Sequence, residues 1–336
     1  MPFAGSLFDK RLLQWRNPTS ITFINGRQVN HMEKLLRGAL LMIAKNKGAA
    51  LLMRRYGMRF GARRFVAGET LNDAIAAVQK LNQAGKEATI DHLGEYIRNA
   101  ADAENSANQC IQALEAMDAA GLRSNLSLKL TSLGLDLDRA QCERHMRTIL
   151  QTAMKLNRFV RIDMEDYTHC QPTVDLYHKL KEDYEQLGIV LQAYLYRTAD
   201  DLKRLGTAGT NIRIVKGAYK ESEKVAYSKK SDVDASYETL VRRHLENGAY
   251  AAIATHDEAL ISRLEDWIRS RDIRRDRFEF QMLYGIREDL QDRLVRQGYK
   301  VRVYVPFGED WFGYFMRRLA ERPANLWFLL RNWRRK

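Results

Sequence analysis

The stretch FVRIDMEDYTHCQPTVDLYHKLKEDYEQLGIVLQAY, residues 159–194, decides the fold class. It opens with a short apolar run at Phe159–Met164, continues as a helical pattern over Val174–Leu187, and ends in a second apolar run at Val190–Tyr194. Two short apolar runs joined by an amphipathic helix predict a strand–helix–strand unit with parallel strands.

The same alternation continues from about residue 70 onward and supplies eight candidate strands. They are Ala88–His92, Leu126–Thr131, Phe159–Met164, Val190–Tyr194, Ile212–Lys216, Ala251–Thr255, Phe278–Met282 and Val301–Val305. The helical patterns between them are Asn108–Ala119, Arg139–Leu156, Val174–Leu187, Glu258–Arg269 and Arg287–Arg296, with one or two more helices over residues 221–247. Eight strands with helical crossovers in about 240 residues favour a closed parallel barrel over an open sheet. We therefore predict an α/β fold, a distorted (βα)8 barrel of the TIM type.

The two ends of the chain are strongly basic, whereas its middle is nearly neutral. Residues 1–66 hold 13 Lys and Arg against 2 acids, and the last six residues, RNWRRK, add four positive charges. Residues 30–56 show a helical pattern with apolar side chains on one side. We predict a basic N-terminal helical appendage over residues 1–65, the barrel over residues 66–330, and a basic tail over residues 331–336.

Cysteine and histidine usage points to a reduced compartment and to the absence of a dedicated metal site. The three cysteines lie far apart and form no CxxC, and the seven histidines form no HxH or HExxH pattern. The N-terminus has no long apolar run of the secretory type, and no stretch approaches the ~20 apolar residues of a membrane span. We expect a cytoplasmic protein.

Polar and charged residues recur at the ends of the predicted strands, where a barrel of this type carries its functional groups. They are Ser127, Lys129, Thr131, Arg161, Asp163, Glu165, Asp166, Gln192, Tyr194, Arg213, Lys216, Tyr219, Thr255, His256, Asp257, Glu279, Gln281, Arg302 and Tyr304. Any one of them alone is more often structural than functional. Because the pattern recurs from strand to strand, we interpret it as one functional site.

The segment Val-Lys-Gly-Ala-Tyr after the fifth strand suits the binding of a phosphate or of a planar ring. Neither GxGxxG nor GxxxxGK[ST] occurs, so a dinucleotide would have to be held by barrel loops. Gly217 allows a close backbone approach, and Arg213 and Lys216 can offset pyrophosphate charge.

The last predicted helix carries two adjacent arginines. Tyr314, Arg318 and Glu321 share a face at i, i+4 and i+7, and Arg317 lies about 100° around the helix from Arg318. Two arginines above a barrel mouth can grip one carboxylate, because the planar guanidinium pairs with it through two bonds. The alternative is an ordinary surface network of arginine and glutamate.

Taken together, these motifs resemble the proline dehydrogenase family, in particular its small monofunctional bacterial branch. The segments that carry the resemblance run in family order over about residues 65–330. They are SLKLTSLGLDLD, VRIDMED, VLQAYLYRT, IRIVKGAY, IATHD, FEFQMLYGI and VRVYVPFGEDWFGYFMRRLAERPAN.

The resemblance implies an enzyme that holds FAD non-covalently and oxidises L-proline to Δ1-pyrroline-5-carboxylate, the first step of proline catabolism to glutamate. Carried over by position, the substrate-binding and catalytic residues are Lys129, Asp163, Leu283, Tyr304, Tyr314, Arg317 and Arg318. The residues around FAD are Gln192, Arg213, Val215, Lys216, Gly217, Ala218, Thr255, His256, Gln281 and Glu321. Among them, Arg213 would favour the reduced, electron-rich flavin.

The resemblance also implies that electrons pass to a membrane quinone, and the basic ends suggest peripheral contact with an anionic membrane. An alternative within the same fold is a flavin barrel of the methylenetetrahydrofolate reductase type. An alternative from another class is a basic nucleic-acid-binding protein. We expect no nucleic acid partner, because no RNA-binding motif or aromatic and basic stacking pattern is present.

Overall fold

A computed structural model describes residues 61–94 and 97–321, with side chains through residue 318. Eight parallel strands form a closed barrel in which each strand pairs with its neighbours in chain order and the first pairs with the last. They are β1 (Glu87–His92), β2 (Ser124–Leu128), β3 (Val160–Ile162), β4 (Leu187–Gln192), β5 (Asn211–Val215), β6 (Tyr250–Ala254), β7 (Phe278–Leu283) and β8 (Val301–Phe307). The predicted fold class is confirmed.

Helices alternate with the strands. They are α1 (Leu71–Gln83), α2 (Ala100–Ala119), α3 (Arg139–Lys155), α4 (Tyr167–Lys181), α5 (Thr198–Leu205), α6 (Lys230–Glu246), α7 (Glu258–Ser270), α8 (Glu288–Arg296) and α9 (Trp311–Glu321). Their apolar faces pack on the outside of the barrel in one large core. Among the residues described here, none of the helices is long and apolar enough to cross a membrane.

All eight predicted strands are present, with ends that shift by a few residues, but two predicted helices begin well before their predicted start. The helix expected at Asn108–Ala119 already begins at Ala100. The helix expected at Val174–Leu187 runs from Tyr167 to Lys181, and Leu187 already belongs to β4. The Asp166 carboxylate accepts the backbone N–H groups of Thr168 and His169, so it starts the helix earlier than the pattern indicates. Residues 221–247 contain a single helix, α6.

Two of the predicted parts lie largely or wholly outside the described residues. The N-terminal appendage is described only from residue 61, and the basic tail at residues 331–336 not at all. The proposed domain boundaries therefore remain predictions.

A second, smaller apolar cluster holds α9 over one end of the barrel. Phe65 and Val66, which precede α1, pack with Trp311 and Phe315 of α9. The Trp311 indole also donates to the Glu69 carboxylate at 3.0 Å. Because α9 follows β8 directly, this cluster fixes the helix at the carboxyl ends of the strands.

The interior of the barrel is unusually polar, and its polar groups occupy both ends. Arg302 and Glu279 are each the second residue of their strands, and the Arg302 Nε lies 2.8 Å from the Glu279 Oε1. Arg161 donates to the backbone carbonyl of Asn211, the first residue of β5. The prediction that these three residues belong to the functional strand ends is wrong, because they lie toward the amino ends of their strands, where barrels build stability.

Candidate active site

A cavity of about 780 Å³ opens at the carboxyl ends of the strands, beneath α9. It brings together 16 of the 17 site residues predicted from the sequence. They are Lys129, Asp163, Gln192, Arg213, Val215, Lys216, Gly217, Ala218, Thr255, His256, Gln281, Leu283, Tyr304, Tyr314, Arg317 and Arg318. The side chain of the seventeenth, Glu321, lies outside the described residues. The individual roles of these residues remain predictions.

A hydrogen-bonded cluster forms around the Asp163 carboxylate, which lines the cavity. Its Oδ1 accepts from the Arg213 guanidinium at 2.8 Å and from the Ser127 hydroxyl at 2.6 Å, and its Oδ2 accepts from the Tyr304 hydroxyl at 2.7 Å. Burial alone would raise the pKa of Asp163, but the nearby positive charges outweigh burial and lower it. Asp163 is therefore ionised and holds the cluster in one arrangement.

Tyr304 is the neutral donor of this cluster. Burial and the negative charge of Asp163 raise the pKa of its hydroxyl well above the ordinary value. The Arg213 guanidinium carbon lies 5.3 Å from the centre of the Tyr304 ring, which adds a cation–π contact. The ring is thus held from its hydroxyl and from its face.

A second buried ion pair lies beside the first. The Lys129 Nζ is 3.1 Å and 3.3 Å from the two carboxylate oxygens of Asp91, a residue that is 1% exposed. Burial raises the pKa of Asp91, and the Lys129 charge opposes that rise. The four charges of Asp91, Lys129, Asp163 and Arg213 cancel in pairs.

Sequence reasoning missed Asp91, although the signal was available. It is the fifth residue of β1, one step before the carboxyl end of the strand, and it lines the cavity. The strand-end rule that identified the other residues applies to it equally. Lys230 also lines the cavity, but it lies 15 residues beyond the end of β5, so strand position could not have indicated it.

The α9 helix supplies Tyr314, Arg317 and Arg318 to the outer wall of the cavity. Tyr314 is buried and the two arginines are half-buried. The Arg318 guanidinium carbon lies 5.1 Å from the centre of the Tyr314 ring. The ring therefore packs against the side chain that the sequence analysis assigned to a carboxylate clamp.

At the opposite wall the chain passes close to Tyr194. Gly217 has a φ of 113°, and a Cβ at this position would lie 2.1 Å from Cδ1 of the Tyr194 ring. Only glycine fits that conformation and that contact. At Gly217 the chain therefore presents backbone, and no side chain, to the cavity. We call this position the glycine cradle.

Lys216 was expected to offset pyrophosphate charge, and it belongs to a network of two lysines and two aspartates. Its Nζ lies 2.5 Å from Asp234 Oδ1 and 2.9 Å from Asp257 Oδ2, and Lys230 contacts both carboxylates. Burial would raise the pKa of Asp257, but the lysines hold it well below its usual range. The network is charge-balanced, so an incoming anion would have to compete with these carboxylates.

His256 and Gln192 are both oriented by backbone contacts. The Leu283 N–H donates to the His256 Nε2 at 2.9 Å, so this ring nitrogen carries no proton. The Gln192 amide donates to the Glu165 carbonyl at 2.7 Å. Both side chains are therefore fixed in position where they line the cavity.

One buried donor at this site has no protein partner among the described residues. Arg213 is 5% exposed, its Nε and Nη1 are hydrogen-bonded, and its Nη2 is buried without a bond. A buried donor of a charged group left unbonded is costly, so its presence in a cavity indicates a missing acceptor. The glycine cradle and the apolar side chains of Val190, Met164 and Met282 leave room for a flat ring beside it.

Comparison with known proteins gives one consistent family. A family model described as proline dehydrogenase matches residues 74–331. The chain is 46% identical over 297 residues to proline dehydrogenase 1 of Bacillus subtilis (strain 168), an alignment that covers 88% of this chain and 98% of the relative. It is 41% identical over 304 residues to the proline dehydrogenase of Deinococcus radiodurans, which covers 89% of this chain and 98% of the relative.

A solved structure shows the same fold. Proline utilization A from Bdellovibrio bacteriovorus, inactivated by N-propargylglycine, superposes with a TM-score of 0.72 and 26% sequence identity. The match covers 77% of this chain and 32% of that protein, so the present chain spans about a third of the larger one.

Proposed function

This chain belongs to the proline dehydrogenase family, and on that basis we propose that its cavity binds FAD non-covalently and oxidises L-proline to Δ1-pyrroline-5-carboxylate. The reaction is the first step in the breakdown of proline to glutamate. The observation that carries the proposal is the meeting, in one cavity, of the paired arginines, the Tyr304–Asp163 cluster and the unbonded Arg213 nitrogen. Family membership rules out the methylenetetrahydrofolate reductase alternative.

The substrate carboxylate would bind between Arg317 and Arg318, with Lys129 beside it. The four charges deeper in the cavity already cancel, so the carboxylate needs cations from elsewhere. The two arginines of α9 supply them at the outer wall. Arginine suits this task because its fork matches the two oxygens of a carboxylate.

The pyrrolidine ring would pack against Tyr304, Tyr314 and Leu283. These side chains line the same cavity and present mostly apolar surface. Tyr304 cannot swing away, because its hydroxyl is bound to Asp163 at 2.7 Å. A rigid wall of this kind would align the ring carbon with its reaction partner, and such alignment can lower a reaction barrier substantially.

The residues fit a flavin dinucleotide. The Gly217 cradle and Ala218 offer backbone to the cofactor, and Gln192, Thr255, His256 and Gln281 offer polar atoms around it. The unbonded Arg213 nitrogen would donate to the ring system, and its charge would favour the reduced form. When bound, FAD would be the oxidant: it would accept a hydride from the ring CH2 next to nitrogen, the one that bears no carboxylate, while the amine nitrogen loses its proton to solvent and the C=N bond forms.

Electrons taken from proline must pass to an acceptor, and we propose that this is a membrane quinone. The strongly basic ends of the sequence would bring the protein to an anionic membrane from the cytoplasm. Both ends lie almost wholly outside the described residues. The same charge would also suit a nucleic acid, but the family and the cavity favour the enzyme.

The test is the visible spectrum of the purified protein. We expect a flavin spectrum that bleaches when L-proline is added without oxygen. L-Alanine, which carries the amine and the carboxylate without the ring, should leave the flavin oxidised. A protein that contains no flavin and takes up none from added FAD would refute the proposal.

A further inference from the structure

A continuous line of buried hydrogen bonds crosses the inside of the barrel, from the active site toward its other end. The Arg213 Nε donates to Gln281 Oε1 at 2.6 Å, and the Gln281 Nε2 donates to Glu279 Oε1 at 2.5 Å. The Arg302 Nε donates to the same Glu279 oxygen at 2.8 Å. Glu279 is 2% exposed and does not line the active-site cavity.

The chemistry of the two ends fixes the orientation of the amide between them. Arg213 can only donate hydrogen bonds, and an ionised Glu279 can only accept them. Gln281 can therefore satisfy both neighbours in one orientation alone, with its oxygen toward Arg213 and its nitrogen toward Glu279. If Gln281 turned over, two donors would face each other at Arg213.

Glu279 is ionised at neutral pH. Burial alone would raise its pKa, but the charge of Arg302 and the hydrogen bond from it lower the pKa to about 2. Arg302 is held in turn by the Ala88 carbonyl at 2.8 Å and by the Glu87 carboxylate. The acceptor that orients Gln281 is thus permanent.

This chain of hydrogen bonds ends at Arg213, whose Nη2 has no hydrogen-bond partner among the described residues. Gln281 holds the Arg213 Nε, and Asp163 holds Nη1 at 2.8 Å. With these two bonds fixed, the third nitrogen, Nη2, has one available direction, and it is the atom without a protein partner among the described residues. The position of this nitrogen therefore depends on Gln281, and through it on Glu279.

We propose that Glu279 is a positioning residue for the reaction: through Gln281 it fixes the Arg213 guanidinium, and so it sets the reduction potential of the bound flavin. The inference rests on the proposed FAD function. Glu279 touches neither substrate nor cofactor in this arrangement, and it acts only through the orientation of its neighbours.

The test measures the flavin midpoint potential of four holoenzymes: the wild type, Glu279→Leu, Arg213→Met and the double variant. Loss of the Arg213 cation should lower the potential, and Glu279→Leu should shift it in the same direction by a smaller amount. In the double variant the potential should equal that of Arg213→Met alone, because the guanidinium that Glu279 positions is absent.

The sign of the shift separates positioning from a direct effect of charge. Removing a negative charge near the flavin would by itself raise the potential, whereas loss of the Arg213 position lowers it. Glu279→Gln keeps an oxygen that can accept from Gln281, so its potential should stay near that of the wild type. A higher or unchanged potential in Glu279→Leu, or equal shifts in both Glu279 variants, would overturn the inference.

Thr89→Val serves as the matched control. Thr89 is a fully buried interior residue whose hydroxyl bonds to Asn125 at 2.5 Å, outside the line to Arg213. Its loss should leave the potential unchanged, and a shift as large as that of Glu279→Leu would count against the proposal. If Glu279→Leu does not fold, Glu279→Ala takes its place with the same expected sign. A wild type that binds no flavin would overturn both this inference and the proposed function, whereas a flavin-bound set without the shift would overturn this inference alone.

Discussion

The Tyr304 hydroxyl donates to the Asp163 carboxylate across 2.7 Å, and this bond joins β8 to the residue that directly follows β3, through the inside of the barrel. Because the bond holds the ring still, Tyr304 forms a fixed wall against which a five-membered ring can pack. If a proline ring packs against Tyr304, an added hydroxyl on that ring would collide with the tyrosine side chain.

We therefore expect the enzyme to prefer proline over trans-4-hydroxy-L-proline in kcat/KM. Tyr304→Ser should narrow the preference, because loss of the aromatic ring opens space for the additional hydroxyl of the substrate. Tyr304→Phe is the matched control: it keeps the ring and should keep the preference, although it leaves Asp163 one bond short. A wild type that prefers hydroxyproline would show that Tyr304 does not face the substrate ring.

The carboxylate clamp predicts a specific defect in Arg318→Met. Loss of a hydrogen bond to a charged group costs about 1.5–3 kcal/mol, which corresponds to a rise of about 10- to 150-fold in the proline KM. The flavin should stay bound, since the change removes a substrate contact. Arg263→Met, at an exposed arginine that pairs with Glu238 on α6, should leave KM unchanged. An unaltered KM in Arg318→Met with full flavin content would remove Arg318 from the clamp.

Buried His244 makes the fold sensitive to mild acid. It is 0% exposed, its Nε2 lies 3.0 Å from the Tyr250 carbonyl, and burial lowers its pKa to about 4 although that contact opposes the shift. A histidine whose folded pKa lies below its unfolded value of about 6.5 stabilises the fold fully above pH 6.5 and loses this contribution as the pH falls toward 4. The contribution amounts to about 3 kcal/mol.

The measurement is the free energy of unfolding in urea between pH 7 and pH 4. His244→Gln keeps a donor for the Tyr250 carbonyl but cannot be protonated, so its stability should fall less over this range than that of the wild type. His178→Gln, at an exposed histidine of α4, should follow the wild type. Parallel curves for His244→Gln and the wild type would show that another group causes the acid loss.

The basic ends predict salt-dependent binding to anionic membranes. Each Lys or Arg near such a surface contributes about 1 kcal/mol, and salt screens the attraction. We expect the full chain to co-sediment with anionic liposomes at low salt and to detach as salt rises, whereas neutral liposomes should not retain it. Removal of the RNWRRK end should weaken the binding. Equal pelleting with both lipids, or none at low salt, would refute membrane docking and leave the enzyme assignment intact.

The barrel could be predicted from the sequence because its strands are short apolar runs between amphipathic helices, a signal that is local. The site could be predicted for a related reason: parallel strands end on the same side, so polar residues at strand ends meet without further information. The same rule applies to Asp91, which lies one residue before the carboxyl end of β1 and lines the cavity.

Other features could not be found in this way because they depend on distant side chains. Lys230 lines the cavity from the start of α6. Lys216 pairs with Asp234 and Asp257, which lie at the starts of two different helices. Glu279 and Arg302 look like functional strand residues until strand register places them near the amino ends. A polar residue at the carboxyl end of a barrel strand indicates function, whereas one at the amino end indicates stability. Strand boundaries are the least certain part of a sequence prediction, so the two cases are hard to separate.

The small apolar cluster beneath α9 has a consequence for the order in which the protein becomes active. Phe65 and Val66 come from the start of the described chain and Trp311 and Phe315 from its end, so the two halves of the cluster are synthesised about a whole barrel apart. A nascent chain can complete all eight strands and still lack the helix that carries Arg317 and Arg318. The polar interior can therefore be formed before the proposed arginine clamp exists, and catalytic competence would arrive only when α9 docks on the segment that carries Phe65 and Val66.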